Sequence, residues 1–92
     1  MRVSNDRIER IRQCLDTALT PEMLEIEDES HLHAGHAGAR DGRGHYRLTL
    51  VSDAFEGKSR LGRHRLVFDA LGNMMDTDIH ALSIQALAPS EI

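Results

Sequence analysis

The run VSDAFEGKSRLGRHRLV, Val51 to Val67, changes its hydrophobic period in mid-course, and that change restricts the folds open to the chain. Before it, Tyr46, Leu48 and Leu50 alternate with Arg47 and Thr49, the pattern of a strand (His45 to Val51) with one face inward. Ser52 to Lys58 is a polar turn, marked by the Ser52-Asp53 pair and by Gly57, which is expected to be structural. From Ser59 the apolar residues return at helical spacing. At about 100° per residue Leu61, His64, Val67, Phe68 and Leu71 share one side, leaving Arg63, Arg65 and Asp69 to water. His64, inside that stripe, is expected to be a structural histidine that holds the preceding turn by a hydrogen bond. Gly72-Asn73 caps the helix, Met74 to Ile79 is a connector, and a last strand, His80 to Leu87, ends before Pro89. A strand, helix and strand in this order form a parallel, right-handed crossover.

Upstream, Ser4, Asn5 and Asp6 offer N-caps, and Asp6 with Glu9 has capping-box spacing, which places a helix start here. Ile8, Ile11, Leu15 and Leu19 mark its apolar face, and Thr20-Pro21 stops it. Leu24-Glu25-Ile26-Glu27 alternates strictly, giving a strand with Leu24 and Ile26 inward. In a hairpin with the next strand, Arg47 opposes Glu25 or Glu27. Asp28 to Gly44 contains four glycines and no apolar period, so it reads as a long exposed loop, a feature that is usually functional or disordered in so small a domain. The expected fold is therefore a small α/β (α+β) domain of order α-β-β-α-β spanning residues 1–92, with helices on one face of a three-stranded mixed sheet.

The formal charge of −4 argues against a protein held to nucleic acid by bulk electrostatics, although a local basic patch remains compatible with it. Cys14 is the single cysteine, which excludes an intramolecular disulfide and a thiolate zinc site and fits a reducing compartment. It falls among the apolar positions of the first helix, where a small buried thiol is expected. No apolar run reaches the roughly 18–20 residues of a membrane span, and no secretory signal is seen, so a cytoplasmic chain is expected. No nucleophile–base arrangement or apolar pocket pattern points to an enzyme.

The crossover has a functional corollary. The last strand begins at the end of the sheet where the second strand begins, which is also the end that carries the long loop. His80 should therefore lie near His31, His33 and His36. Each loop histidine taken singly reads as a solvated polar residue. Together with His80 they form a set of imidazoles suited to iron, copper, nickel or zinc, yet incomplete without a second molecule. Cluster iron with two imidazole ligands has a precedent in Rieske centres.

Three blocks, the VSD-FEGKS-RHRLV run, DESHLHAGHAG after the first strand, and HALSIQALAP at the end, resemble the BolA family and cover most of the chain from Leu24 to Pro89. The resemblance implies a fold similar to a type II KH domain. It further implies a partnership with a monothiol glutaredoxin, with which BolA-like proteins share a [2Fe-2S] cluster in iron-sulfur assembly or iron regulation. In such a complex the glutaredoxin cysteine and glutathione supply sulfur. The BolA partner supplies a histidine matching His80 and a loop ligand, best matched here by His33, with His31 and His36 as neighbours able to substitute. The loop departs from the commoner BolA form in having Ala37-Gly38-Ala39-Arg40-Asp41-Gly42 where a proline-rich turn and an acidic residue are usual, which leaves the choice of loop ligand open. Isolated, such a chain is expected to be a monomer or weak homodimer without cofactor.

Bacterial members are also described as transcriptional regulators of cell shape, stress response and biofilm formation, which implies DNA as an alternative partner. Lys58, Arg60, Arg63 and Arg65 are the candidate phosphate contacts, set against a reading as a solvated helix face. Gly57-Lys58-Ser59-Arg60 lacks the second glycine of a KH backbone clamp, and no upstream glycine makes Gly57-Lys58-Ser59 a phosphate-binding P-loop.

Overall fold

The three strands stack in the order β1 (Met23–Asp28), β2 (Gly44–Val51) and β3 (Ile79–Leu87), with β1 antiparallel and β3 parallel to the central β2. The computed structural model describes residues 3–29 and 44–92, with side chains of the first helix from Arg7 onward. Register follows from the hydrophobic alternation. Leu24 and Ile26 on β1 stand opposite Leu50 and Leu48 on β2, which in turn pair with Ala86 and Ile84 on β3, so one face is apolar throughout. On the other face Arg47 opposes Glu27, and its guanidinium reaches Glu29 at 3.1 Å and Glu27 at 3.9 Å.

Helices α1 (Val3–Leu19) and α2 (Arg60–Leu71) cover the apolar face, and a short helix α3 (Met74–Thr77) occupies the expected connector. Ile11, Leu15 and Leu19 of α1 are buried against Leu48, Leu50, Phe55, Val67 and Leu71, each side chain contributing about 1.5–3 kcal/mol of burial. Cys14 is half-buried at the margin of this core. The start of α1 differs from expectation: Ser4, Asn5 and Asp6 lie inside its first turn, since the helix already begins at Val3. Its end is as expected, with Thr20 outside the right-handed helical region. Thr20 takes a left-handed φ of 40°, and its amide closes the last turn on the Asp16 carbonyl at 3.1 Å.

The turn at the centre of the sequence is held by serines. Ser52, 1 % exposed, donates to the Leu19 carbonyl at 2.6 Å and accepts from the Ala54 amide at 3.1 Å, joining α1 to a turn of 3-10 helix, Asp53–Phe55. Ser59 is the N-cap of α2 and accepts from the Gly62 amide at 3.1 Å. His64 makes no hydrogen bond to this turn, which corrects the expectation; the side chains of Ser52, Ser59 and Arg63 bond to it instead. Gly57 lies in this turn with φ +73°, in the left-handed region that favours glycine.

The orientation of α2 also corrects the helical projection. Val67 and Leu71 are buried, but Leu61 and Phe68 are exposed, and Arg63 is turned inward with only 13 % of its side chain exposed. The helix meets α1 along one line and the end of β3 along another, so a narrow stripe is covered rather than the full projected face. A 3-10 turn, Pro89–Glu91, completes the fold and supplies the partner that draws Arg63 in.

Candidate functional site

At the open end of the β2–β3 pair the ladder slips by one residue. Gly44 pairs with Ile79 but His45 pairs with Ala81, leaving His80 as the extra residue on β3. Bulges of this kind re-aim a side chain at a sheet margin. The result places the His80 ring beside that of His45, with centroids 5.2 Å apart and planes tilted by 47°. His80 is exposed, whereas His45 is 7 % exposed.

Both flanks of this end are fixed. The Glu29 amide donates to the His45 carbonyl at 2.7 Å, and the Gly44 amide donates to the Asp78 carbonyl at 2.9 Å, so the two ends of the segment 30–43 are tied within a rung or two of His80. A side chain at position 44 would displace the Tyr46 ring. A Cβ on Gly44 would lie 2.5 Å from Cε2 of that ring. The Asp78 carboxylate binds Arg7 at 3.3 Å and Arg10 more closely, and accepts from the Thr77 hydroxyl at 2.6 Å, clamping the head of β3 to α1. The Thr77 hydrogen bond, helped by Arg10 and Arg7 and opposed by burial, holds the Asp78 carboxyl below the usual carboxylate range. Burial pushes the neighbouring Tyr46 phenol up.

The expectation that β3 starts beside the loop-bearing end of β2 is met. His31, His33 and His36 themselves lie outside the described residues. Among the described residues no group of three His, Cys, Asp or Glu side chains is arranged to hold a metal ion, so His80 needs donors from beyond them. His80 itself presents an accessible imidazole, a single donor of the kind that can ligate cluster iron. A cleft of about 130 Å³ beside it, lined by Glu29, His45, Tyr46, Ala81, Leu82 and Ser83, is smaller than the roughly 300–1,000 Å³ of small-molecule pockets. Sequence reasoning missed His45 and Asp78. His45 opens the alternating run of β2 and could have been paired with His80 by the same crossover argument, whereas nothing local marks Asp78 as the partner of two arginines on α1.

The candidate phosphate contacts separate. Lys58, Arg60 and Arg65 are exposed, and Lys58, Arg60, Arg63 and His64 line a groove of about 460 Å³ between the start of α2 and the last residues of β3, Ile84 to Leu87; Arg65 is outside it. Arg63 is engaged rather than open: it donates to Glu91 at 2.6 and 2.8 Å, to the Ala86 carbonyl at 3.0 Å and to the Lys58 carbonyl at 3.0 Å. The Arg63 contact, with the Ala88 amide second, lowers the Glu91 carboxyl to about 2. No helix among the described residues is long and apolar enough to cross a membrane.

Comparison with known proteins bears on the family and the fold. The sequence model of a family described as BolA-like protein matches residues 15–91. Over 88 residues the chain is 49 % identical to SufE-like protein 1, chloroplastic/mitochondrial, of Arabidopsis thaliana, covering 90 % of this chain and 24 % of that protein. It is 45 % identical over 89 residues to the chloroplastic protein BOLA1 of the same plant, covering 94 % and 56 %. The chain thus spans about a quarter and about half of the lengths of these curated relatives. Among solved structures, the BolA domain of SufE1 from Arabidopsis thaliana superposes with a TM-score of 0.82 at 46 % identity, covering 94 % of this chain and 95 % of that one.

Proposed function

This chain belongs to the BolA-like family, and from that premise we propose that it is a non-enzymatic, cytoplasmic accessory protein that pairs with a monothiol glutaredoxin and co-ligates a [2Fe-2S] cluster. The observation that carries this reading is the placement of His80: an exposed imidazole on a bulge, beside the two anchored ends of a histidine-bearing segment. His80 would hold one cluster iron, with His33 as the second ligand and His31 or His36 as substitutes. The glutaredoxin cysteine and glutathione would supply the sulfur ligands. When bound, the cluster supplies one-electron redox chemistry and a transferable iron-sulfur unit.

What the chain itself contributes is position and electrostatics. The Asp78 clamp fixes the strand from which His80 projects, and the His45 ring limits its rotation on one side. The test is anaerobic reconstitution with the organism's monothiol glutaredoxin, glutathione, iron and sulfide, read by visible absorption and circular dichroism against glutaredoxin alone. A spectrum that differs from that of glutaredoxin and reverts with His80→Ala supports the reading. An unchanged spectrum with no complex on gel filtration refutes it.

The alternative, a DNA-binding regulator of morphology, stress response and biofilm formation, is supported by the exposed cations Lys58, Arg60 and Arg65, but weakened by the engagement of Arg63 with Glu91. Under that reading Lys58→Ala with Arg60→Ala lowers gel-shift affinity at matched salt; unchanged affinity rejects it.

A further inference from the structure

Among the described residues no strand pairs with the outer edge of β3, and Ile84 to Leu87 of that strand line a groove with the start of α2. The Leu87 carbonyl accepts from the Ser52 amide on the β2 side, while the Ala86 carbonyl accepts from Arg63 on the opposite side. Successive residues of a strand direct their main-chain groups to alternate edges, so Leu82, Ile84 and Ala86 present theirs outward. Arg63 takes the Ala86 carbonyl; among the described residues nothing outside the sheet takes those of Leu82 or Ile84.

We propose that this edge, with the start of α2, docks an extended acidic segment of a partner protein, which adds as a fourth strand beside β3. Charge selects the occupant. Lys58 and Arg60 project into the groove with His64 beside them, and its one carboxylate, Glu91, is already paired with Arg63. Carboxylates on the incoming segment therefore meet uncompensated cations, while a basic segment is repelled. Leu61 and Phe68, spaced with His64 at i, i+3 and i+7, are exposed along α2 and give apolar side chains of the segment a surface to cover. Arg63 also fixes the register, because a strand pairing along Leu82 and Ile84 must end where the guanidinium occupies the Ala86 carbonyl. Main-chain bonds supply affinity in this mode and side-chain contacts supply selection. The groove lies at the opposite end of β3 from His80, so the inference stands independently of cluster sharing.

The test titrates isotope-labelled full chain with a blocked seven-residue peptide of alternating Glu and Val. Its controls are the same peptide with Lys for Glu and one with a central proline, which removes a ladder donor. Expected are amide shifts at Leu82, Ile84, Ala86, Lys58 and Arg60, with hydrogen exchange at Ile84 slowed about tenfold at saturation. Both control peptides, and the Glu/Val peptide with the Lys58→Glu/Arg60→Glu protein, should bind about tenfold more weakly or worse. Equal binding of the proline or Lys peptide, or shifts confined to other surfaces, overturns the proposal. An eight-nucleotide thymidine oligomer that shifts these residues when the Glu/Val peptide does not would assign the groove to nucleic acid instead. Edge shifts that grow with protein concentration alone would assign it to a second copy.

Discussion

A single hydroxyl, that of Ser52, ties the end of α1 to the turn that begins the second half of the chain. Ser52→Ala would leave the Leu19 carbonyl and the Ala54 amide without that partner in a buried place, and the expected loss is about 1–3 kcal/mol, read from the urea midpoint at unchanged slope. Gly57→Ala should cost about 1–2 kcal/mol for a different reason: at φ +73° there is open space for the methyl group, but the backbone conformation itself disfavours a Cβ. The turn role of both residues was legible in the sequence, because polar and glycine residues interrupted an apolar period. That Ser52 reaches a carbonyl 33 residues away was not, since local pattern carries no information about which distant group will be left needing a donor. Arg63 shows the same limit from the other side. Helical spacing assigned it to water, and Glu91 at the far end of the chain drew it in.

At the level of elements, the head of β3 is held to α1 by Asp78 and two arginines, only one of which is well exposed: Arg7 and Arg10 keep 15 % and 53 % of their side chains in solvent. Asp78→Ala leaves Arg7 without its carboxylate, and a loss of about 3 kcal/mol is expected, measured by thermal or urea unfolding. The pH dependence has a defined sign. Because the folded carboxyl is held low, its contribution is present above the unfolded value of about 4 and is lost as pH falls through the lower folded value; Asp78→Asn should flatten acid unfolding in that window. Glu91 follows the same direction. Its carboxyl titrates at about 2, so the Pro89–Glu91 turn should loosen as pH falls from about 4 toward 2, seen as a shift of the Ala88 amide to which Glu91 is bonded. The type, order and approximate bounds of the strands and of α1 and α2 were readable because their apolar residues repeat at 2 or near 3.6. The buried face of α2 was not readable, because its width depends on what the helix packs against.

For the whole molecule, the parallel pairing of β2 with β3 brings His80 to the end of the sheet where the segment 30–43 is anchored, although the sequence separates them by an entire crossover. That proximity was deducible from element order and handedness alone. The ring contact with His45 depends in addition on a one-residue slip that no periodicity announces. His80→Ala should leave unfolding free energy within about 0.5 kcal/mol, as expected for an exposed side chain, while altering the spectrum of the reconstituted complex; a large loss of stability would make His80 a structural residue instead.

The slip at His80 acts as a phase shift in the strand. Beyond it, Leu82, Ile84 and Ala86 keep step with Tyr46, Leu48 and Leu50, and before it Ile79 is buried in step with Gly44. The intervening position belongs to neither rhythm. It carries an imidazole without any core residue leaving its place, so the donor at the margin of this sheet is set apart from the packing beneath it.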